Sequence, residues 1–247
     1  MASPFPPSTT DPRPFGVDIS RYNGVVDFDM MAAYDTVAVE YIMIRSGQGA
    51  EWSYDGLDNR FYYNWAGAKG KFPRMCYHVI YPSVSVQPQV DNVKRIFDDG
   101  DFGEGPLWID LELWQGMTPK VVSDRTIEFQ RKLTEQLGIR VGIYSGWWFL
   151  SQLPVASWWS EVDWWLANYL NAELGREHPG PPDHGAIPLE NIVFHQTTSW
   201  IQGAPMGAPG NVRIDGNRFM RGDLHDYLDI EEPVYAFADW WPLRMEP

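Results

Sequence analysis

Sulfur bridges are the first thing missing: one cysteine, Cys76, in 247 residues allows no intramolecular disulfide, so core packing must hold the fold together. Cys76 lies in the apolar stretch "RMCYHVIY" and reads as a buried, inert thiol. Basic residues are scarce too, 19 Lys and Arg against 33 Asp and Glu, a net charge of −14. That balance argues against nucleic acid as a partner, and against electrostatic attachment to an anionic membrane or wall polymer, because each needs a basic face. No apolar run approaches the roughly 20 residues that span a bilayer, so membrane insertion is not expected. The opening "MASPFPPSTTDPRPF" has no basic start followed by an apolar core, and therefore does not read as a secretory signal. Internal repeats and a glycine-rich phosphate loop are also missing.

Aromatic residues are plentiful: 15% of the chain, with 13 tryptophans. Four Trp-Trp doublets, at 147–148, 158–159, 164–165 and 240–241, cannot all face one core. Flat apolar platforms for sugar rings and packing between layers are the two roles open to them.

Short apolar runs bounded by turn residues recur along the chain. They are "FGVDIS" (15–20), "YIMIRSG" (41–47), "RMCYHVIY" (74–81), "PLWIDLEL" (106–113), "RVGIYSG" (140–146), "WWLANY" (164–169), "NIVFHQT" (191–197) and "VRIDGNRF" (212–219). Between them, residues 57–70, 87–100 and 118–138 show helical spacing and each ends on glycine. Strands alternating with helices imply parallel pairing through crossovers, and eight strands suggest closure. Segments 170–190 and 198–211 are rich in Gly and Pro and show no helix. The expected fold is therefore α/β, a single degenerate TIM-like barrel of the (β/α)5(β)3 kind, with an open doubly wound sheet as the alternative. Residues 1–14 read as an irregular Pro-rich lead-in, 15–230 as the barrel with a final helix over 221–230, and 231–247 as a tail packed on it.

The carboxylates carry the chemical signal. Asp110 and Glu112 sit one residue apart in "PLWIDLELW", so a strand would project both from one face beside Trp108. A barrel would gather them at the C-terminal strand ends with Asp18 from the first strand and Asp215 from the eighth. Crowding and burial raise carboxylate pKa values, leaving one acid protonated near neutral pH to serve a glycosidic oxygen while an ionised neighbour stabilises positive charge. Glu112 has the longer reach and suits the acid; Asp110 suits orientation or stabilisation. The same carboxylates could hold a hard cation, Asp215 could be a turn residue, and Asp18 could cap a loop.

In order, "FGVDIS", "YIMIRSGQG", "YDGLDNRFYYNWAGAKG", "YHVIYP", "PLWIDLE", "GIYSG", "WWLANY" and "RIDGNRF" resemble the landmarks of family 25 glycoside hydrolases, the N-acetylmuramidases often called lysozymes. The resemblance spans about residues 15–230. It implies a β/α barrel with three late strands lacking helices, and cleavage of the β-1,4 bond between N-acetylmuramic acid and N-acetylglucosamine in peptidoglycan. Glu112 would be the general acid, Asp110 its partner, and Asp18 and Asp215 flanking acids. Asp110 would act as nucleophile or position the substrate's own N-acetyl group, the latter being favoured, and neither cofactor nor metal is required. Substrate-binding positions map onto Tyr77, Tyr144, Trp165, Tyr169 and Gln196.

The sequence departs from the family pattern at Asn23, where Gln is usual, and at His195-Gln196-Thr197, where Trp-Gln-Tyr is common. His195 and His78 both read as structural. A non-catalytic glycan-binding barrel and a hydrolase of another N-acetylated glycan such as chitin are the competing functions. The partner expected is a peptidoglycan glycan strand and the oligomeric state a monomer. The setting expected is the bacterial cell wall, reached as a phage lysin from the host cytoplasm or as an otherwise exported protein.

Overall fold

A computed structural model describes residues 7–50, 56–169 and 181–230. The expected tail (231–247), most of segment 170–190, the Trp doublet at 240–241 and the first six residues of the lead-in lie outside the described residues.

Eight strands close into one barrel in sequence order: β1 Phe15–Ile19, β2 Val39–Gln48, β3 Arg74–Val79, β4 Leu107–Asp110, β5 Val141–Gly146, β6 Trp164–Ala167, β7 Ile192–Gln202 and β8 Arg213–Phe219. Helices α1 (Phe28–Ala32), α2 (Phe61–Ala68), α3 (Val86–Ile96), α4 (Pro119–Leu137) and the single turn α5 (Trp147–Leu150) follow the first five strands. A last short helix, α6 (Leu224–Leu228), comes after β8. The α/β barrel expected from the strand rhythm is the fold observed.

The local signals account for these elements. Thr118 caps α4 by accepting a hydrogen bond from the Val121 N–H, Pro119 occupies its first turn, and Gly138 ends it in the left-handed region at φ 68°. Val86, Val90, Val93 and Ile96 form the buried stripe of α3. No helix among the described residues is long and apolar enough to cross a membrane.

Two apolar layers result. The outer one lies between strands and helices and includes Val17, Ile42, Ile44, Ile109, Ile143 and Trp164. The inner one fills the lumen with Tyr41, Met43, Met75, Tyr77, Trp108, Tyr144, Trp165, Phe194 and Phe219. Tyr227, Leu224 and Leu228 of the α6 segment pack against this inner layer and close the end opposite the strand C-termini. Large rings fit inside because glycine faces them. A Cβ on Gly16 would come within 2.3 Å of the Tyr41 ring, and one on Gly142 within 2.3 Å of Trp108.

The barrel departs from the expected all-parallel arrangement at one strand. β8 runs antiparallel to both β7 and β1. Only residues 203–212 join β7 to β8, too few for a helical crossover, so the chain turns back as a hairpin. β7 is also longer than expected, reaching Gln202 through two irregularities in its pairing with β8. β4 is shorter, ending at Asp110 rather than continuing to 113. The chain bends there into a turn with Gln115 and Gly116 at positive φ (45° and 75°).

The Trp doublets divide as alternation requires. Trp164 faces outward, where Trp158 stacks on it at 5.6 Å and Trp159 meets it edge-on at 6.0 Å. Trp165 faces the lumen. Trp148 is half exposed and lies 6.3 Å from the ring of Tyr169.

Candidate active site

The four acids meet at the mouth formed by the C-terminal ends of the parallel strands. Asp18 and Asp215 are direct partners across the antiparallel β1–β8 pair. Because β8 runs the other way, Asp215 reaches the mouth from the beginning of its strand rather than from its end. Like charges opposite one another in a ladder are destabilising, and both groups respond. Burial raises Asp18 to about 6, held back by hydrogen bonds from Asn217 and Gln196. Burial, then the charges of Asp18 and Glu112, raise Asp215 well above the usual range.

Asp110 ends β4, and Glu112 lies just beyond the strand. Alternation nevertheless persists through this stretch: Leu111 is fully buried in the outer layer, its N–H donating to Tyr144 O at 2.9 Å, while Glu112 turns back toward the acids. Burial raises Asp110 well above the ordinary value, and the charge of Glu112 adds to this; the Arg45 guanidinium opposes it. Burial, then the charge of Asp18, brings Glu112 to about 7. The Oδ1 atom of Asp110 is buried and has no hydrogen-bond partner among the described residues.

A set of amides and hydroxyls orients the acids. Gln196 donates from Nε2 to Asp18 Oδ2 at 2.7 Å and to Asp215 Oδ2 at 3.4 Å. Its Oε1 accepts from the hydroxyls of Tyr144, at 2.8 Å, and Tyr169. Asn217 donates to the same Asp18 oxygen at 2.9 Å, and its Oδ1 accepts from Trp165 Nε1 at 2.8 Å. An indole N–H can only donate, so the Asn217 carbonyl must face Trp165 and its NH2 must face Asp18.

The five positions mapped as substrate-binding therefore separate. Tyr169 is partly exposed beside the half-exposed Trp148. Tyr77 and Tyr144 are 9% and 7% exposed and line the mouth just above the aromatic floor. Trp165 and Gln196, at 1% and 2% exposure, lie beneath the acids and take part in the orienting network.

Sequence reasoning missed Asn217, Arg45, Asp58 and Tyr22. Asn217 shares a strand face with Asp215, two residues away, and that spacing was legible. Arg45, a lone charge in the apolar run "YIMIRSG", projects from the inner face of β2 level with Tyr77. Its Nε donates to Asp58 Oδ2 at 2.9 Å. Asp58 also accepts from the Arg21 and Arg60 N–H groups, at 2.8 and 3.0 Å. The Tyr22 ring, 70% exposed, lies 5.3 Å from the Arg45 guanidinium and 5.2 Å from that of Arg21.

The departures from the family pattern have structural roles. Asn23 accepts from Ser20 N–H at 2.8 Å and donates to Arg213 O at 2.7 Å, fastening the β1 loop to the start of β8. Buried His195 is hydrogen bonded through Nε2 to Asn168 O at 3.1 Å. His78 is likewise buried, bonded to Gly49 O at 3.1 Å, and burial lowers it to about 4. Buried Cys76 has its thiol pushed far up by burial.

Among the described residues no three Asp, Glu, His or Cys side chains are grouped to hold a metal ion. A groove of about 530 Å³ lies on the outside near the strand N-termini, lined in part by Gln130, Arg140, Glu161 and Asp163. It contains none of the converging acids, so the mouth is the candidate site.

Comparison with known proteins agrees with this geometry. The family model of glycosyl hydrolases family 25 matches residues 17–202. A family 25 glycosyl hydrolase from Bacillus anthracis superposes with TM-score 0.73 at 18% identity, covering 93% of this chain and 99% of that one. The bacterial lysozyme of Streptomyces coelicolor gives TM-score 0.68 at 18% identity over 90% and 97% of the two chains. A muramidase from Acremonium alcalophilum gives 0.64 at 20% identity over 87% and 97%. At these identities the likeness is one of fold. No curated protein sequence matches the chain.

Proposed function

The chain belongs to glycosyl hydrolase family 25, and from that premise we propose that it cleaves the β-1,4 bond between N-acetylmuramic acid and N-acetylglucosamine in peptidoglycan, with Glu112 as general acid. The observation that carries the assignment is the pairing of Glu112, raised to about 7, with Asp110, whose Oδ1 is buried and unsatisfied. Glu112 holds a proton near neutral pH and delivers it to the glycosidic oxygen as the C1–O bond breaks. The carbonyl oxygen of the substrate's 2-acetamido group attacks C1 from the opposite face. Asp110 Oδ1 accepts the acetamido N–H, a bond that favours its ionised form, and balances the positive charge of the resulting oxazolinium ring. Glu112, now ionised, takes a proton from the water that attacks C1, which reopens the ring with retained configuration.

Asp18 and Asp215 flank this pair. Gln196 bonds both and Asn217 bonds Asp18, and the charge of Asp18 adds to burial in holding the proton on Glu112. In this reading the protein acts on glycan strands of the bacterial wall as a monomer, delivered as a phage lysin or an exported protein. The test is release of new reducing ends from purified peptidoglycan by the wild-type protein and by Glu112→Gln, with mass spectrometry of the terminal sugar. Muramic acid at the new end, lost in the variant, is expected. N-acetylglucosamine at the new end, or equal release by both proteins, refutes the assignment.

A further inference from the structure

We propose that Arg45, anchored by Asp58 and covered by Tyr22, recognises the lactyl group of muramic acid and so distinguishes a muramic sugar from N-acetylglucosamine. The proposal rests on the muramidase reading above and names what selects its substrate.

The two sugars differ by the 3-O-lactyl ether. That substituent ends in a carboxylate on stem-free strands and in an amide carbonyl where a peptide is attached, so its shared chemistry is an acceptor oxygen. Asp18, Asp110, Glu112 and Asp215 make the mouth hostile to such a group, and a positive donor must offset them.

Arg45 has the geometry for this. It is 9% exposed, its charge acts on Asp110, and it stands level with Tyr77 on the inner wall. Asp58 takes its Nε, and the hydroxyl of the exposed Tyr22 is its other neighbour toward solvent. Neither Nη is among the buried atoms that lack a partner, so the outer edge of a nearly buried guanidinium faces the mouth, where a stronger acceptor than water or a phenol can take it. The mount is rigid, since two backbone N–H groups also hold Asp58, and Tyr22 covers the guanidinium face. A planar fork mounted in this way matches a carboxylate or carbonyl better than an ammonium would.

The experiment measures binding by the Glu112→Gln protein, with and without Arg45→Met, to three tetrasaccharides. Two have alternating N-acetylglucosamine and N-acetylmuramic acid, one with peptide stems and one without; the third is chitotetraose. Arg45→Met is expected to weaken both lactyl ligands by about 10- to 100-fold, the scale of one charge-assisted hydrogen bond, and chitotetraose by less than about 3-fold. A loss confined to the stem-free ligand supports recognition of the carboxylate; equal loss on both lactyl ligands supports recognition of the shared carbonyl. Equal loss on all three ligands, or no loss on any, overturns the proposal. Because Tyr22 is exposed, Tyr22→Ala leaves the fold intact and decides the matter should Arg45→Met fail to fold. It should weaken lactyl binding selectively by about 3-fold or more, and unchanged binding counts against the proposal. Should the Glu112→Gln protein bind chitotetraose and neither lactyl ligand, the muramidase reading fails and this proposal with it. Lactyl binding indifferent to both substitutions defeats the role of Arg45 alone.

Discussion

Removing the charge of Glu112 should make the protein more stable at neutral and alkaline pH while ending its catalysis. A carboxyl whose pKa is higher in the folded state binds its proton more tightly folded than unfolded. Its contribution is favourable below the unfolded value of 4.5 and is lost as pH rises through the folded value of about 7. Above pH 7 the ionised group sits in a site that disfavours it, and at about 1.4 kcal/mol for each pH unit between the two values the penalty is about 3 kcal/mol. Glu112→Gln removes that penalty and relieves Asp110 and Asp215, whose pKa values its charge raises. Urea unfolding at pH 8 should therefore show the variant more stable than wild type by about 3 kcal/mol, equivalent to about 6–12 °C in Tm for a chain of this size. At pH 4 the difference should shrink to near zero. A variant no more stable at pH 8, or a gain that does not change with pH, would show that the acids do not strain the folded state.

The same proton sets the alkaline limit of activity: kcat/KM on soluble glycan strands should fall as pH rises beyond about 7, and initial rates that keep rising to pH 9 would refute Glu112 as the acid. Gln196→Glu replaces the donor between Asp18 and Asp215 with a further carboxylate. It should cost at least about 3 kcal/mol at pH 7 in urea unfolding, against about 1 kcal/mol for Tyr144→Phe, which removes one hydroxyl from the same amide. Gly142→Ala drives a methyl toward the Trp108 ring at 2.3 Å and should cost about 1–3 kcal/mol, with Trp108→Phe restoring part of it in the double variant.

Much of this was legible in the chain because period-two alternation and helix stops depend on neighbouring residues. The eight strands and helices α2, α3 and α4 emerge from such local signals. The reversal of β8 does not, since an alternating strand reads the same in either direction. Nor does alternation tell the lumen from the outer layer, so it could not say which of Trp164 and Trp165 faces inward. The proximity of Asp18 and Asp215 follows from barrel closure, but the network through Gln196, Asn217 and Trp165 depends on side chains far apart in sequence. Arg45 was visible as a charge in an apolar run. Its partner Asp58 lies in the loop leading to α2, and nothing in the spacing joins them.

The seam between β1 and β8 joins the two ends of the described chain, and this shapes how the molecule assembles. Strands nearly 200 residues apart must find each other, a non-local pairing that is slow because its loop entropy is lost before its contacts form. The same ladder sets Asp18 against Asp215. Between the free value of 3.8 and about pH 6, zipping this seam draws protons from solution, since both carboxyls hold them more tightly once buried. Completion of the barrel and charging of its active site with protons are thus one event.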